Sequence, residues 1–307
     1  MLLRSMPDLS CGNAEFRRWF LSKWGKENCI VLGRSRRADF GPCTHTLSIR
    51  AAWGGAQRCL LSTRCVDVDD DSFLVLNHGR VYSTSIRAPW PVESLAICFR
   101  QGLAEQAAAA MAMPLAQALE HDDTLAGEPP EFMESLQPHD RLVSPVLRFI
   151  RAHLLLGLDD EAWYEEQLLF LLERMLAHRI RAFALADELQ MLRRARSREV
   201  FRRIGVATDF LNTNYTQTLV LADVARVACL SKHHFLRLFT RLHGITPLTY
   251  LQRKRAIVAL RLLQKRQMAA CEVAACVGFA DRGTLLRQVR RWTGLSPSQV
   301  RKPVTVR

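Results

Sequence analysis

The chain has 307 residues, of which 49% are hydrophobic and 24% are charged, and its formal net charge is +13. This length allows one large domain or two ordinary ones, and the apolar fraction is sufficient to fill their cores. No apolar run reaches the ~18 residues of a membrane-spanning helix, which excludes such a helix. Arg4 and Asp8 interrupt the first residues, so we expect no signal peptide there.

The excess of positive over negative charge lies entirely in the last third of the sequence. Residues 196–307 contain 21 Lys and Arg against 5 Asp and Glu, a net charge of +16, whereas residues 1–195 contain 22 against 25, a net charge of −3. A basic module beside a nearly neutral one predicts a polyanionic partner for the basic part alone. The nine cysteines include no Cys-x-x-Cys pair, which favours reduced thiols and a cytoplasmic protein, with a thiol switch at Cys59 and Cys65 as the alternative.

The N-terminal part is predicted to be rich in strands. Residues 1–40 show little periodicity beyond a short helix near Phe16, and we assign no function to them. Strands are predicted at 45–53, 57–69, 72–77, 81–87 and 94–99, with a break at Pro89–Pro91. Short strands at this spacing predict a sandwich or a barrel.

A barrel mouth is a common site for a small molecule. The candidate residues lining such a pocket are Arg50, Trp53, Arg64 and Tyr82. His45 and His78 are isolated, and no His-x-His pair occurs in 44–100. We therefore expect no metal and no cofactor in this domain.

Helices are predicted after the strands. Residues 102–120 form the first, which Pro114 interrupts, residues 121–138 form a Pro-containing loop, and helices follow at 142–156 and 161–186. The last helix has a wide apolar stripe, formed by Trp163, Leu168, Leu171, Leu172, Met175 and Leu176. A stripe this apolar needs a partner, which is either the barrel or a second copy of the chain in a homodimer.

The basic region contains one helical pattern twice. The first copy covers 221–247 and the second covers 271–297. A shift of 50 residues aligns Ser231 with Asp281, Phe235 with Leu285, Arg237 with Arg287, Gly244 with Gly294 and Pro247 with Pro297. Val224-Ala225 aligns with Val273-Ala274 only after a slip of one residue. A repeat with its caps, core and stops in register indicates one supersecondary unit used twice.

Each copy is predicted to form a helix-turn-helix. Two apolar stripes flank Ser231, whose hydroxyl is suited to cap the second helix, and Gly244 ends that helix. Residues 199–211 form a preceding helix, and residues 248–267 form a connecting helix of about five turns. A stiff connection would fix the two units at a separation near ~34 Å, as two major-groove contacts on one face of DNA require.

The second helix of each unit is expected to enter the major groove. Arg237 is then placed to donate two parallel hydrogen bonds to a guanine. A solvated helix face would also explain one exposed arginine. The equivalent Arg287 in the second copy favours the reading of DNA bases.

These motifs resemble those of the AraC-type bacterial transcription regulators. The resemblance rests on V-A…S-x-x-x-F-x-R-x-F…G-x-x-P, the connecting helix with Arg255, and V-A…V-G-F-x-D…L-x-R…G-x-S-P. The base-contacting residues that it implies are Lys232, His233, Leu236, Arg237, Arg282, Gly283, Thr284, Leu286 and Arg287, and Arg241 and Arg290 extend the same outward faces. The second copy departs from the family at Gly283-Thr284-Leu285 and Val289, which predicts looser packing and mainly phosphate contacts there.

The strand-rich part resembles, more loosely, the cupin-like sensory domain of the same family. The resemblance implies an α+β protein with a cupin-like β-barrel at 1–125, a helical linker and dimerisation region at 126–195, and an all-α double helix-turn-helix domain at 196–307. The partners that it implies are double-stranded DNA, RNA polymerase, a small-molecule effector and a second copy of the chain, without a membrane.

Two alternatives to a transcription regulator remain open. The first is an enzyme, either a cupin-type metalloenzyme or a DNA-repair methyl acceptor fused to the basic module. The cysteine spacings do not supply the Cys₄ zinc site of such a repair protein, and no Ser/His/Asp set or phosphate loop occurs, so we expect no enzymatic activity. The second alternative is an adaptor whose helices in 142–186 bind another protein.

Overall fold

The computed structural model describes residues 1–5, 14–62, 64–112, 129–158, 160–188, 194–265 and 267–294. The chain divides into two compact units, an N-terminal unit of Met1–Arg198 and a C-terminal unit of Glu199–Arg307. The N-terminal unit combines a sheet with helices, and the described part of the C-terminal unit is helical. The predicted α+β architecture followed by an all-α domain is confirmed. Among the described residues, no helix is both long and apolar enough to cross a membrane.

Eight strands of the described chain form one sheet. They are β1 (Leu2–Leu3), β2 (Cys29–Thr44), β3 (Ser48–Trp53), β4 (Gln57–Leu61), β5 (Arg64–Val68), β6 (Ser72–Leu76), β7 (Val81–Cys98) and β8 (Leu136–Pro138). The strand order is β1-β2-β7-β3-β6-β8, and the β4–β5 hairpin pairs with β7. This path does not return to β1, so the sheet of the described strands is open, although its strand content agrees with the cupin-like prediction.

The strand β7 runs through the break that was predicted at Pro89–Pro91, so that prediction is wrong. Ser35 pairs with Val92 and Arg37 pairs with Arg87, which leaves residues 88–91 in an irregular segment between two paired halves. The missing N–H groups of the prolines interrupt no ladder there, which is why a strand tolerates them. The first half of β7 also pairs with β4, and the second half pairs with β3.

The strand β2 lies where sequence periodicity predicted no strand. Its first five residues are all buried, and the remainder is largely exposed or half-buried. Neither half therefore shows the simple alternation by which half-buried strands are recognised. The strand β8 was likewise missed, because its three residues fall inside the predicted loop and pair only with β6.

The described helices of the N-terminal unit that follow its first one pack on one face of the sheet. The described helices of this unit are α1 (Ala14–Lys23), α2 (Leu103–Ala112), α3 (Val143–Leu155) and α4 (Glu161–Glu188), with α5 (Arg194–Thr213) crossing into the C-terminal unit. The bounds of α3 and α4 are close to those predicted, whereas Pro114 lies outside the described residues. Ile49 and Ala51 of β3 belong to the same core as Leu147 of α3 and Leu171 of α4.

The apolar stripe of α4 packs on this core. Leu168, Leu171, Leu172 and Met175 are each at most 1% exposed, and Leu176 is buried with them. The sheet is therefore the partner that this stripe needs. Sequence alone left the sheet and a second copy as equal alternatives, because periodicity shows which face is apolar but not what covers it.

Five further helices follow α5 in the described part of the C-terminal unit. They are α6 (Leu221–Val227), α7 (Lys232–His243), α8 (Pro247–Gln264), α9 (Ala270–Val277) and α10 (Arg282–Thr293). The predicted order of a preceding helix, a helix-turn-helix, a connecting helix and a second helix-turn-helix is confirmed. The 18 residues of α8 make about five turns, as predicted.

The second helix-turn-helix is as tightly packed as the first. Leu285 and Val289 are 0% and 1% exposed, and they share a core with Ala256, Ala259 and Val273 of the neighbouring helices. The prediction of looser packing, based on the departure from the family pattern, is wrong. Leu and Val fill the space because small alanines on α8 let the helices approach closely.

Candidate nucleic-acid interface

The first helix-turn-helix is formed by α6 and α7. The Ser231 hydroxyl accepts a hydrogen bond from the His234 amide at 3.4 Å, which caps α7. Gly244 ends the helix with φ of 69°, and its amide donates to the Thr240 carbonyl at 2.8 Å. Phe235 is fully buried, so the opposite side of α7 faces outward.

The second helix-turn-helix repeats this arrangement in α9 and α10. The Asp281 carboxylate accepts from the Thr284 amide at 2.8 Å and caps α10. The Thr284 amide and the Thr284 hydroxyl both donate to this carboxylate, and these hydrogen bonds hold the pKa of Asp281 below its usual value. Gly294 ends the helix with φ of 71°, as Gly244 does in the first unit. The predicted caps and stops of both units are confirmed.

The slip between the two copies lies in the turn. The Leu230 amide donates to the Ala225 carbonyl at 3.0 Å, and the Phe279 amide donates to the Ala274 carbonyl at 2.9 Å. These bonds are equivalent, and both pairs are 49 residues apart, whereas the caps of α7 and α10 are 50 apart. The turn of the second unit is therefore one residue longer, and the additional residue is Ala280.

A buried arginine joins the second turn to the segment after α5. Arg255 of α8 donates from Nε to the Tyr215 carbonyl at 2.6 Å and from Nη2 to the Gln217 carbonyl at 2.7 Å. A Cβ atom at Gly278 would lie 2.4 Å from the Thr216 carbonyl oxygen and 3.1 Å from the Arg255 guanidinium carbon. The glycine therefore allows the close approach that the arginine stabilises. Sequence reasoning saw both residues in the family pattern but could not assign this contact.

None of the predicted DNA-contacting side chains is in the core. Those classed as exposed are Lys232, His233, Arg237, Arg241, Arg282, Arg287 and Arg290, together with the exposed backbone of Gly283. Leu236, Thr284 and Leu286 are half-buried, and Leu286 packs against the core of the second unit. The structure thus brings these residues together on the outward sides of α7 and α10.

The acidic residues of the C-terminal unit leave this surface cationic. Glu199 bridges Arg202 and Arg203 at 2.8 and 2.7 Å, which lowers the pKa of Glu199 to about 2. Asp223 pairs with Arg226 within the first unit at 2.9 Å. Among the described residues, Arg237 and Arg290 have no ion pair with an acidic side chain. Unpaired cations on an exposed surface are suited to bind phosphates.

The predicted ligand-binding residues divide between two sides of the sheet. Arg50 donates from Nε to the Tyr82 hydroxyl at 3.1 Å, and both side chains are buried on the face of the sheet opposite to α3 and α4. Trp53 packs on the helix-covered side and has Arg151 over its ring at 4.7 Å. Arg64 donates instead to the Glu134 carbonyl. Only Arg50 and Tyr82 are therefore brought together.

Further polar groups adjoin Arg50 and Tyr82. The His45 ring lies 4.5 Å from the Tyr82 ring, and burial lowers the pKa of His45 to about 3. The buried Nδ1 atom of His45 and the buried hydroxyl of Ser48 have no hydrogen-bond partner within the described chain. Sequence reasoning excluded His45 as a metal ligand and did not associate it with the candidate pocket.

The described residues contain no group of three or more His, Cys, Asp or Glu side chains that could hold a metal ion. Cys59 is buried, whereas Cys65 is exposed. Cys59 pairs in register with Val66, and Cys65 pairs with Leu60, so the two thiols lie on opposite faces of the hairpin. This arrangement opposes the thiol switch that was considered from sequence.

Comparison with known proteins shows which kind of domain the C-terminal unit contains. A family model described as a helix-turn-helix domain matches residues 224–303, which include both helix pairs. The C-terminal unit therefore contains a helix-turn-helix domain, and it is similar in sequence to transcription regulators. The bifunctional transcriptional activator/DNA repair enzyme AdaA of Bacillus subtilis is 28% identical over 99 residues, which are 32% of this chain and 47% of AdaA. The probable transcriptional regulator LumQ of Photobacterium leiognathi is 31% identical over 91 residues, 30% of this chain and 37% of LumQ.

Part of the chain is also similar to proteins of solved structure. A transcriptional regulator of Chromobacterium violaceum, described as containing an AraC-type DNA-binding domain, is 22% identical and has a TM-score of 0.31. The similarity covers 32% of this chain and 88% of that one. The chain spans less than half the length of the curated relatives AdaA and LumQ.

Proposed function

We propose that this protein is a sequence-specific, DNA-binding transcription regulator of the AraC type. In this proposal α7 and α10 enter adjacent major grooves, and the N-terminal unit senses a small molecule or a protein partner. The observation that carries the proposal is the pair of capped helices with Arg237 and Arg287 exposed at equivalent positions. A guanidinium at this place in a recognition helix suits bidentate contact with guanine.

The charge distribution supports DNA as the partner. Residues 196–307 carry a net charge of +16, and the cations of α7 and α10 stay largely free of acidic partners. The names of the relatives AdaA and LumQ include transcriptional activation and regulation. A DNA partner also places the proposed regulator in the cytoplasm.

The test is to crosslink the protein to DNA in cells and to sequence the DNA that co-purifies. We expect enrichment of a short motif with two half-sites about one helical turn apart. The affinity for a duplex carrying this motif should fall by about 1,000-fold or more between ~50 and ~200 mM salt, if six or more phosphates are contacted. Recovery of DNA without any shared motif would reject sequence-specific recognition.

We further propose that the protein is a regulator without catalytic activity. The name of AdaA includes DNA repair, but the matched 99 residues are 47% of that protein. Stoichiometric zinc or iron in the purified protein would favour the enzyme alternative instead.

We propose that the N-terminal unit binds its small-molecule effector beside Arg50 and Tyr82. Arg50 is 7% exposed, and the contacts of the described chain give it a phenol but no carboxylate as a partner. A buried cation without a counter-charge favours an anionic or strongly polar ligand. A metabolite that raises the unfolding temperature of the wild type should lose this effect in Arg50→Met. An unchanged shift in this variant would place the ligand elsewhere.

A homodimer and a contact with RNA polymerase complete the proposal. Leu169 and Phe170 of α4 are 46% and 39% exposed, although the buried stripe of the same helix is already covered by the sheet. These two side chains support a second interface on α4. Sedimentation at micromolar concentration should show a dimer that Phe170→Glu converts to a monomer. A wild-type monomer would contradict the dimer.

A further inference from the structure

A chain of hydrogen bonds connects the cap of α10 to its predicted base-reading arginine. The Asp281 carboxylate accepts from the Thr284 amide at 2.8 Å through Oδ1 and from the Thr284 hydroxyl at 2.9 Å through Oδ2. The same hydroxyl oxygen accepts from Nη2 of Arg287 at 3.1 Å. One threonine therefore contacts both the capping carboxylate and the guanidinium.

The chemistry of the threonine hydroxyl gives this chain a direction. A hydroxyl has one proton and two lone pairs. Its proton is used by Asp281, so its lone pairs point elsewhere and accept from Arg287. Hydrogen bonds to a charged carboxylate are stronger than those between neutral groups. The capping carboxylate therefore fixes the hydroxyl, and the hydroxyl fixes one end of the guanidinium.

Gly283 makes room for the carboxylate. A Cβ atom at this position would lie 3.0 Å from Oδ1 of Asp281, which is closer than side-chain carbons ordinarily approach an oxygen. Gly283 and Thr284 are the residues at which the sequence departs from the family pattern. The departure of these two residues from the family pattern is thus explained by their contact with the Asp281 carboxylate, and not by looser packing of α10.

The first helix-turn-helix lacks this chain of hydrogen bonds. His234 occupies the position of Thr284, and its amide reaches the Ser231 hydroxyl at 3.4 Å. Within the described chain, no hydrogen bond from the Arg237 guanidinium to another side chain is present. The two equivalent arginines therefore differ in how far they are ordered before DNA binds.

We propose that Thr284 is a positioning residue that holds Arg287 ready to read a base pair, so that the second helix-turn-helix contributes base specificity and not only phosphate contacts. This inference rests on the proposed DNA-binding function. An arginine whose rotamer is already restricted loses less entropy on binding than a free one. The planar guanidinium also leaves its remaining N–H groups free for the acceptors of a guanine.

The experiment uses the full chain and a duplex that the wild type selects from a randomised pool. Arg287→Ala first identifies the base pair at which discrimination is lost. Thr284→Val removes the hydroxyl but keeps the backbone amide that donates to the capping Asp281 carboxylate, and Thr284→Ser retains both groups. We expect Thr284→Val to lower the preference for guanine at that base pair by roughly 3- to 10-fold, a part of what a bidentate arginine supplies. Thr284→Ser should retain the preference.

A matched control comes from the first unit. His234→Val changes the equivalent position, where no such hydrogen bond exists, and should leave discrimination at every base pair unchanged. Thermal unfolding of each variant separates a folding defect from a change in recognition. A second measurement needs no variant: ¹⁵N relaxation of the arginine Nε–H groups in the wild type should show Arg287 more ordered than Arg237.

The outcomes separate the two proposals. If the wild type selects no sequence, the proposed function fails before Thr284 is tested. If a sequence is selected but Arg287→Ala relaxes no base pair, the second unit contacts only phosphates and the positioning role is overturned. Equal discrimination in Thr284→Val and the wild type, or equal order of the two arginines by relaxation, would overturn it as well.

Discussion

Arg237 is the side chain with which the proposed function can be tested most directly. It is exposed on the outward side of α7, six residues after the cap at Ser231. We expect Arg237→Ala to weaken binding of the selected duplex by roughly 1–3 kcal/mol and to relax the preference at one base pair. Quantitative binding to duplexes with single base changes measures both effects.

A matched control for this variant is available in the same unit. Arg226 is also exposed but is paired with Asp223 on α6. Arg226→Ala should change affinity little and should relax no base pair, because its charge is already partly neutralised. Equal affinities of the wild type and Arg237→Ala for the selected duplex would reject the assignment of Arg237.

Glycine positions with left-handed backbone give a second prediction at the residue scale. Gly278 and Gly244 have φ of 81° and 69°, but an added Cβ meets the Thr216 carbonyl at 2.4 Å in the first case and no atom within 4 Å in the second. Gly278→Ala should therefore destabilise the C-terminal unit by roughly 2–3 kcal/mol or more, and Gly244→Ala by about 1 kcal/mol. Denaturant unfolding measures both losses, and equal losses would show that the contact with Thr216 is relieved by a small shift.

Substitution of the equivalent residue in the first helix-turn-helix is expected to raise the stability of the C-terminal unit instead of lowering it. Cys229 has φ of 51° and corresponds to Gly278, but it is not a glycine. Cys229→Gly should stabilise the C-terminal unit by up to about 1 kcal/mol, because it relieves a strained backbone. Denaturant unfolding of this variant measures the gain, and a loss of stability would show that the cysteine side chain contributes packing at the turn.

At the scale of elements, the contact between α5 and α7 predicts a dependence of stability on pH. The Thr208 hydroxyl donates to the Ile204 carbonyl at 2.9 Å, and His243 Nε2 lies 3.1 Å from the same hydroxyl. The ring also lies 4.2 Å from the Phe239 ring. Burial lowers the pKa of His243 from 6.5 to about 4, so the folded protein keeps this ring neutral.

The sign of the effect follows from which state binds the proton. Below pH 6.5 the unfolded chain protonates this histidine, whereas the folded protein does so only near pH 4. Stability is therefore complete above pH 6.5 and falls as the pH decreases towards 4. His243→Gln should flatten this slope between about pH 6.5 and 4, because glutamine does not bind a proton in this range. Denaturant unfolding over this range measures the slope, and an equal slope in the wild type and His243→Gln would contradict the assignment.

The helices were predictable from this sequence, whereas the strands β1, β2 and β8 were not, for a physical reason. The caps at Ser231 and Asp281 and the stops at Gly244 and Gly294 act within a few residues, so local sequence specifies them. The strand β2 depends on pairing with β7, whose paired residues, from Thr44↔Val81 to Cys29↔Cys98, lie 37 to 69 positions further along the chain, and its alternation is lost where both faces are buried. The hydrogen bond between Thr284 and Arg287 was missed because a departure from a family pattern does not indicate a contact.

At the scale of the whole molecule, each unit has its own core. Leu147 is 1% exposed in the N-terminal core, and Leu238 is 1% exposed in the C-terminal unit. We expect two unfolding transitions in calorimetry. Leu147→Ala should lower the free energy of unfolding of the N-terminal unit alone, and Leu238→Ala that of the C-terminal unit alone, each by roughly 2–5 kcal/mol. A single transition that both variants lower equally would show that the units unfold together.

The additional residue in the second turn has a consequence for the ancestry of the molecule. If the two helix pairs arose from one ancestral pair, a single insertion or deletion separates them, and it lies between the paired helices rather than inside either one. A change of length inside a helix would have rotated its apolar side by ~100° away from the core. The linking turn is thus where such a chain can change length and still fold, and a gap-free alignment of the halves would wrongly match Cys229 with Phe279.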